Sequence, residues 1–120
     1  LIRQSKPIPF FGNGETSRDY TFVGDIVNGI IAAMHYDKSN YEIINLGNNR
    51  TINLNMLITA IEKEAGKKAI LEKLPDQPGD VPHTFADIAK AKELLNYSPA
   101  TTLEEGLIAF RKWFDQNYSS

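Results

Sequence analysis

Between Asp25 and Tyr36 the apolar positions Ile26, Val27, Ile30, Ile31 and Met34 fall at helical spacing, so DIVNGIIAAMHY predicts a helix. Asp25 stands at or just before its first turn, where a carboxylate can accept from free backbone N–H groups. A second helix is predicted from Leu54 to Ala65: Leu54, Leu57, Ile58 and Ile61 share one face, Asn53 is the cap and Gly66 the stop. ADIAKAKELLNY predicts a third, with Asp87 as cap and Asn96 able to take the left-handed conformation that ends it. The fourth begins at TTLE, where Thr101 and Glu104 have the spacing of a capping box. Leu103, Leu107, Phe110 and Phe114 continue it as one apolar face. Aromatic residues in such a stripe are core material, so Trp113 and Phe114 carry no expected binding role.

Strand patterns are shorter. YEIINLG, from Tyr41 to Gly47, is the clearest, and it ends in the turn residues GNNR. KKAILEKLP predicts a second, closed by Pro75. At the amino end, two prolines and the cluster Ile8, Phe10 and Phe11 predict a short extended piece running into a loop at Gly12. DYTFVGD tends towards a further aromatic and β-branched segment. DQPGDVPHT is the longest unpatterned stretch, and loops of this kind carry function more often than packing. The expected class is α/β: a small mixed lobe of about four helices and a few short strands.

Composition narrows this picture without redirecting it. A chain of 120 residues holds one domain with a modest core. Its apolar share of 42% and charged share of 23% are those of an ordinary globular protein. A net charge of −2 argues against general nucleic-acid binding, although one pocket can still be locally basic. The absence of cysteine removes disulfides, thiolate zinc sites and cysteine nucleophiles, and it fits a reducing compartment; cytoplasmic is the default expectation. No run approaches the length of a membrane span and the amino end lacks a signal peptide's apolar segment, so no membrane partner is expected. The chain opens on Leu1 rather than methionine, which raises the expectation of a longer reading frame.

Catalytic constellations are mostly missing. GNG at Gly12 to Gly14 lacks the preceding strong strand and the following helix of a dinucleotide-binding turn. His35 and His83 have no metal-ligand spacing around them, and no nucleophile elbow occurs. What remains suits an anion. Arg18 follows the flexible GNGETS turn, where a guanidinium can meet a phosphate at two points, and Phe10 and Phe11 flank a glycine that would let a flat ring approach. The plain alternative is a surface pairing of Arg18 with Asp19 or Glu15.

The order of the segments adds information. KPIPFFGNGETSRDYTFVGDIVNGI, YEIINLGNNRTINLNMLITAIEKEAGKKA and QPGDVPHTFADIAKAKELLNYSPATTLEEGLIAFRKWF together resemble the carboxy-terminal part of the NAD-dependent nucleotide-sugar epimerase/dehydratase family, the extended short-chain dehydrogenases. The resemblance runs from Lys6 to Phe114, and the QPGDV loop and NLGN turn look most like the UDP-glucuronate 4-epimerases. It implies a substrate-binding lobe, residues 1–120, of a Rossmann-type epimerase whose NAD-binding domain lies outside this chain. It also implies a UDP-sugar substrate and a homodimeric parent.

Residue by residue, the resemblance sets Pro9, Phe10 and Phe11 beside the uracil, Arg18 on the diphosphate or its ribose, and Asp80 on the ribose. Galactose-type epimerases usually carry an arginine where this chain has Gln77, three positions before the motif aspartate; glutamine donates hydrogen bonds but brings no charge. The family's Y-x-x-x-K pair is absent: Tyr20, Tyr36, Tyr41 and Tyr97 are followed four residues on by Gly24, Asn40, Asn45 and Thr101, and Tyr118 is too near the end. Hydride chemistry is therefore not expected of this chain alone, and the parent would oxidise and re-reduce the sugar at C4. Two alternatives stay open: a stand-alone nucleotide-binding or interaction module without catalysis, and a family member that dehydrates, decarboxylates or reduces.

Overall fold

Local chemistry places most of the elements. The computed structural model describes residues 1–118. A 3-10 turn at Ile2–Gln4 leads into β1 (Pro7–Phe11), β2 (Ser17–Arg18), α1 (Val23–Met34), β3 (Ile52–Asn53), α2 (Leu54–Ala65), β4 (Ile70–Leu74), α3 (Ala89–Leu95) and α4 (Leu103–Tyr118). β1 and β4 pair in parallel, with Phe11 opposite Leu74, and β2 and β3 form a short antiparallel pair with Arg18 opposite Ile52. The mixed α/β lobe of four helices and a few strands is thus as the residue pattern indicates.

Several helix ends follow their residues. Asn53 accepts from the Met56 N–H at 2.8 Å, and Gly66 ends α2 at φ 63°. Asn96 ends α3 at φ 53°. Asp87 lies one residue before the cap position, Ile88, and accepts from the Ala89 N–H at 2.9 Å.

The box that starts α4 sits one residue later than expected. Thr102, not Thr101, exchanges hydrogen bonds with Glu105: the Thr102 N–H donates to the carboxylate at 2.9 Å and the Glu105 N–H donates to the hydroxyl at 3.2 Å. TTLEEG offers two boxes of identical spacing. Asp25 decides between them, because its buried carboxylate accepts from the Thr101 N–H at 3.1 Å. Asp25 lies within the first turn of α1, and its hydrogen-bond partner is the backbone leading into α4 rather than its own helix. The Thr102 hydrogen bonds hold the Glu105 carboxyl below its ordinary range.

Three expectations are corrected. Tyr41–Gly47 forms no strand, because no described segment lies beside it to complete a ladder. Its alternation survives: Ile44 and Leu46 pack on the core while Tyr41 and Ile43 stand exposed. DYTFVGD is likewise not a strand; β2 ends at Arg18 and α1 begins at Val23. The α4 stripe is not a closed core either. Leu103, Leu107 and Phe114 are half-buried, whereas Phe110 and Trp113 are exposed for want of a neighbour on their side.

The most informative departure is the orientation of α1. It turns Asp25 and Gly29 inward, and a Cβ on Gly29 would stand 2.8 Å from Leu46 and 3.0 Å from the Tyr97 ring. Val23, Val27, Ile30, Ile31 and Met34 face outward, Met34 at 77% exposure. The helix therefore carries its large apolar side chains on the face that this chain leaves uncovered.

The fully buried apolar residues are Phe10, Ile88, Ala91 and Tyr97. Tyr97 donates its hydroxyl to the Gly47 carbonyl at 3.0 Å; burial, then the Asp25 and Asp19 carboxylates, push its pKa up. The lobe is a slab of 51 × 37 × 18 Å with a radius of gyration of 17.1 Å. A compact domain of this length has a radius of about 14 Å. The described residues form a flatter, more extended body than that.

Candidate functional site

The residues singled out by sequence converge at the carboxyl ends of the parallel strands β1 and β4. β1 delivers Pro9, Phe10 and Phe11 to this edge, and the Gly12 N–H donates to the Leu74 carbonyl at 3.0 Å, so both strands end together. Gly12 takes φ 70°, and a Cβ there would fall 2.1 Å from Asp76 Oδ1. The positive φ favours glycine here, and the Asp76 side chain takes the space a Cβ would fill.

That loop carries the next pair. The Asp80 N–H donates to the Gln77 carbonyl at 3.1 Å, with Pro78 and Gly79 between them and Gly79 at φ 84°. This is the residue pattern of a type II turn, in which proline presets the first corner and glycine accepts the second. Asp80 emerges at its end and pairs with Arg18 Nη2. Arg18 is aimed by its own backbone: Nη1 donates to the Ser17 carbonyl at 2.8 Å. The Ser17 N–H donates to the Pro82 carbonyl at 2.9 Å, and the Thr84 N–H donates to the Ser17 carbonyl at 3.2 Å, so β2 stitches the far end of the loop to the arginine.

Arg18, Gln77 and Asp80 therefore share one loop cluster at the edge where β1 ends. The Phe10 ring is buried at 3% exposure, so this residue offers its backbone and a firm floor, while Pro9 and Phe11 are open to solvent. Arg18 pairs with Asp80, 62 residues away, rather than with Asp19 or Glu15.

Sequence reasoning missed Asp19. Its carboxylate accepts from the Asn48 N–H at 2.9 Å, the Asn49 N–H at 3.2 Å, the Ala86 N–H at 3.1 Å and the Thr21 hydroxyl at 3.1 Å. It ties the arginine segment to two distant loops, and Gly47 makes room for it, since a Cβ there would lie 2.6 Å from Asp19 Oδ2. The only sequence signal was an acidic residue directly after Arg18.

The apolar grooves lie elsewhere. One of about 590 Å³ runs between Tyr20–Val23 and α4, and another separates the amino-terminal turn from α2 and α4. Neither groove is lined by Arg18, Gln77 or Asp80. The Gly12–Gly14 turn leads into β2 and not into a helix whose N-terminus could take a pyrophosphate.

Residues 2–109 match the profile of a family described as GDP-mannose 4,6-dehydratase. The chain belongs to the NAD-dependent nucleotide-sugar epimerase/dehydratase family. Among similar proteins, the UDP-glucuronate 4-epimerase of Thermodesulfobacterium geofontis is 44% identical over 117 residues, covering 97% of this chain and 36% of that protein. The crystal structure of the UDP-glucuronic acid 4-epimerase from Bacillus cereus, in complex with UDP-glucuronic acid and NAD, superposes with a TM-score of 0.86 at 38% identity. The match covers 98% of this chain and 39% of that one. The UDP-glucose 4-epimerase from Thermotoga maritima, with UDP-glucose, gives 0.84 at 32% identity over 96% of this chain and 37% of that one. The chain thus spans little more than a third of the length of these relatives.

Proposed function

We propose that the chain is the substrate-gripping, carboxy-terminal lobe of an NAD-dependent UDP-sugar 4-epimerase of the UDP-glucuronate type. The observation that supports this reading is the pairing of Arg18 with Asp80, on the loop that follows β4, the strand paired with Pro9–Phe11. Arg18 would hold the diphosphate, Asp80 a ribose hydroxyl, and Pro9 and Phe11 would border the uracil over the buried Phe10. Gln77, two residues before Gly79, would donate hydrogen bonds to a phosphate oxygen without adding charge.

NAD, carried by the rest of the protein, supplies hydride exchange at the sugar. The residues of this chain grip the nucleotide end only, which leaves the hexose free to turn between its two faces. This division favours epimerisation, and likeness to enzymes named for UDP-glucuronic acid favours that sugar. The parent is read as a cytoplasmic homodimer. With the full-length protein and UDP-glucuronate, proton NMR is expected to show a second UDP-hexuronate accumulating to a fixed ratio from either direction. Release of carbon dioxide, loss of water, or binding without turnover would move the assignment to another member reaction or to a non-catalytic module.

The same reading covers the outward face of α1. An NAD-binding domain packed there would bury Val27, Ile30, Ile31 and Met34, which this chain leaves bare. In the full-length protein, Ile30→Asp is then expected to lower Tm by about 3 °C or more, because a charge would enter an apolar interface. Asn28→Asp, exposed on the same helix, serves as the control. Equal, negligible shifts for both would mean that the α1 face stays in water, where substitutions cost little.

A further inference from the structure

Arg18 is not idle within the lobe. Its guanidinium has an anionic partner, the Asp80 carboxylate, and that partner stands at the end of the Gln77–Asp80 turn. The loop is anchored before the turn by the Gly12 to Leu74 hydrogen bond and after it by the two backbone hydrogen bonds of Ser17. Between these anchors, the Asp80–Arg18 contact is the side-chain hydrogen bond that ties residues 77–81 to the rest of the lobe among the described residues. The pair is also open to water, at 28% exposure for the arginine side chain and 45% for the aspartate.

We propose that Asp80 is a competing anion that occupies Arg18 until a diphosphate displaces it, which makes it a specificity-determining residue for the anion bound. This rests on the reading of Arg18 as the diphosphate grip. Exposure decides the physics: a solvated ion pair of this kind is weak, so exchange is cheap, whereas a buried one would be permanent. A carboxylate offers one charge. A diphosphate offers more charge and further oxygens to a fork with five N–H donors, of which Nη1 stays oriented by the Ser17 carbonyl. Single-charge anions gain too little to open the pair, and a diphosphate gains enough. Once displaced, Asp80 swings on the Gln77–Asp80 turn towards the neighbouring ribose hydroxyls, so one carboxylate serves both states.

Inorganic pyrophosphate separates the two roles, because it has no ribose. In calorimetry on the full-length protein, Asp80→Asn is expected to tighten pyrophosphate binding about two- to fivefold, the range that release of an exposed ion pair allows. UDP should gain less than pyrophosphate, since the ribose hydrogen bond is weakened at the same time. Arg18→Ala should weaken pyrophosphate strongly. If Arg18→Ala weakens pyrophosphate while Asp80→Asn leaves it unchanged or weaker, the competing-anion role is overturned and the grip stands. If Arg18→Ala has no effect on pyrophosphate, the grip itself falls. Asp80→Ala, with no side-chain hydrogen bonding of its own, should repeat the sign of Asp80→Asn; opposite signs would also overturn the proposal.

Discussion

Asp19→Ala is expected to destabilise the protein by about 3 kcal/mol in chemical denaturation, the largest stability effect of any single polar side chain in the lobe. The carboxylate satisfies three backbone N–H groups and one hydroxyl, and the Asn48 and Ala86 donors are partly shielded from water. Each hydrogen bond to a charged group contributes roughly 1.5–3 kcal/mol, and an unmet donor retains its desolvation cost. Water can reach the Asn49 donor, so the sum falls below the simple total. Asp19→Asn is nearly isosteric, yet it turns a donor towards donors and is expected to recover less than half of the loss. A change below about 0.5 kcal/mol for both variants, typical of a surface site, would remove Asp19 from this role.

The sequence made the local parts of this lobe readable. Asn53, Gly66 and Asn96 end or begin helices through groups within a few residues, so their residue types were sufficient. The start of α4 slipped by one residue because TTLEEG holds two equivalent boxes, and the choice was made by Asp25, 76 positions from its partner. Asp19 was invisible for the same reason: its donors are 29, 30 and 67 residues away. Tyr41–Gly47 has the alternation of a strand, but a strand exists only beside another, and none is offered among the described residues.

The α1 helix teaches a related lesson. Periodicity correctly gave its helical state, yet it could not say which side of the helix meets the rest of the chain. Gly29, which allows close approach to Leu46 and Tyr97, selects the small-residue face, and the apolar stripe stays exposed. The cluster around Arg18 was readable as chemistry, from an arginine, an aspartate and a glycine turn, but their convergence depends on the β1–β4 pairing across more than 60 residues.

Arg18→Ala bears on the proposed grip itself. A guanidinium that makes charge-assisted contacts to a diphosphate contributes roughly 1.5–3 kcal/mol, which corresponds to a loss of about 10- to 100-fold in affinity. Arg18→Lys restores charge but not the two-point fork, and is expected to fall between the two. NAD retention should not change, because the proposed reading places that cofactor on the rest of the protein. The decisive measurement is a calorimetric titration of UDP into the full-length wild-type protein and its Arg18→Ala variant at fixed salt. The expected result is a 10- to 100-fold weaker UDP affinity with bound NAD unaltered; equal affinities in the two proteins would contradict a substrate grip centred on Arg18.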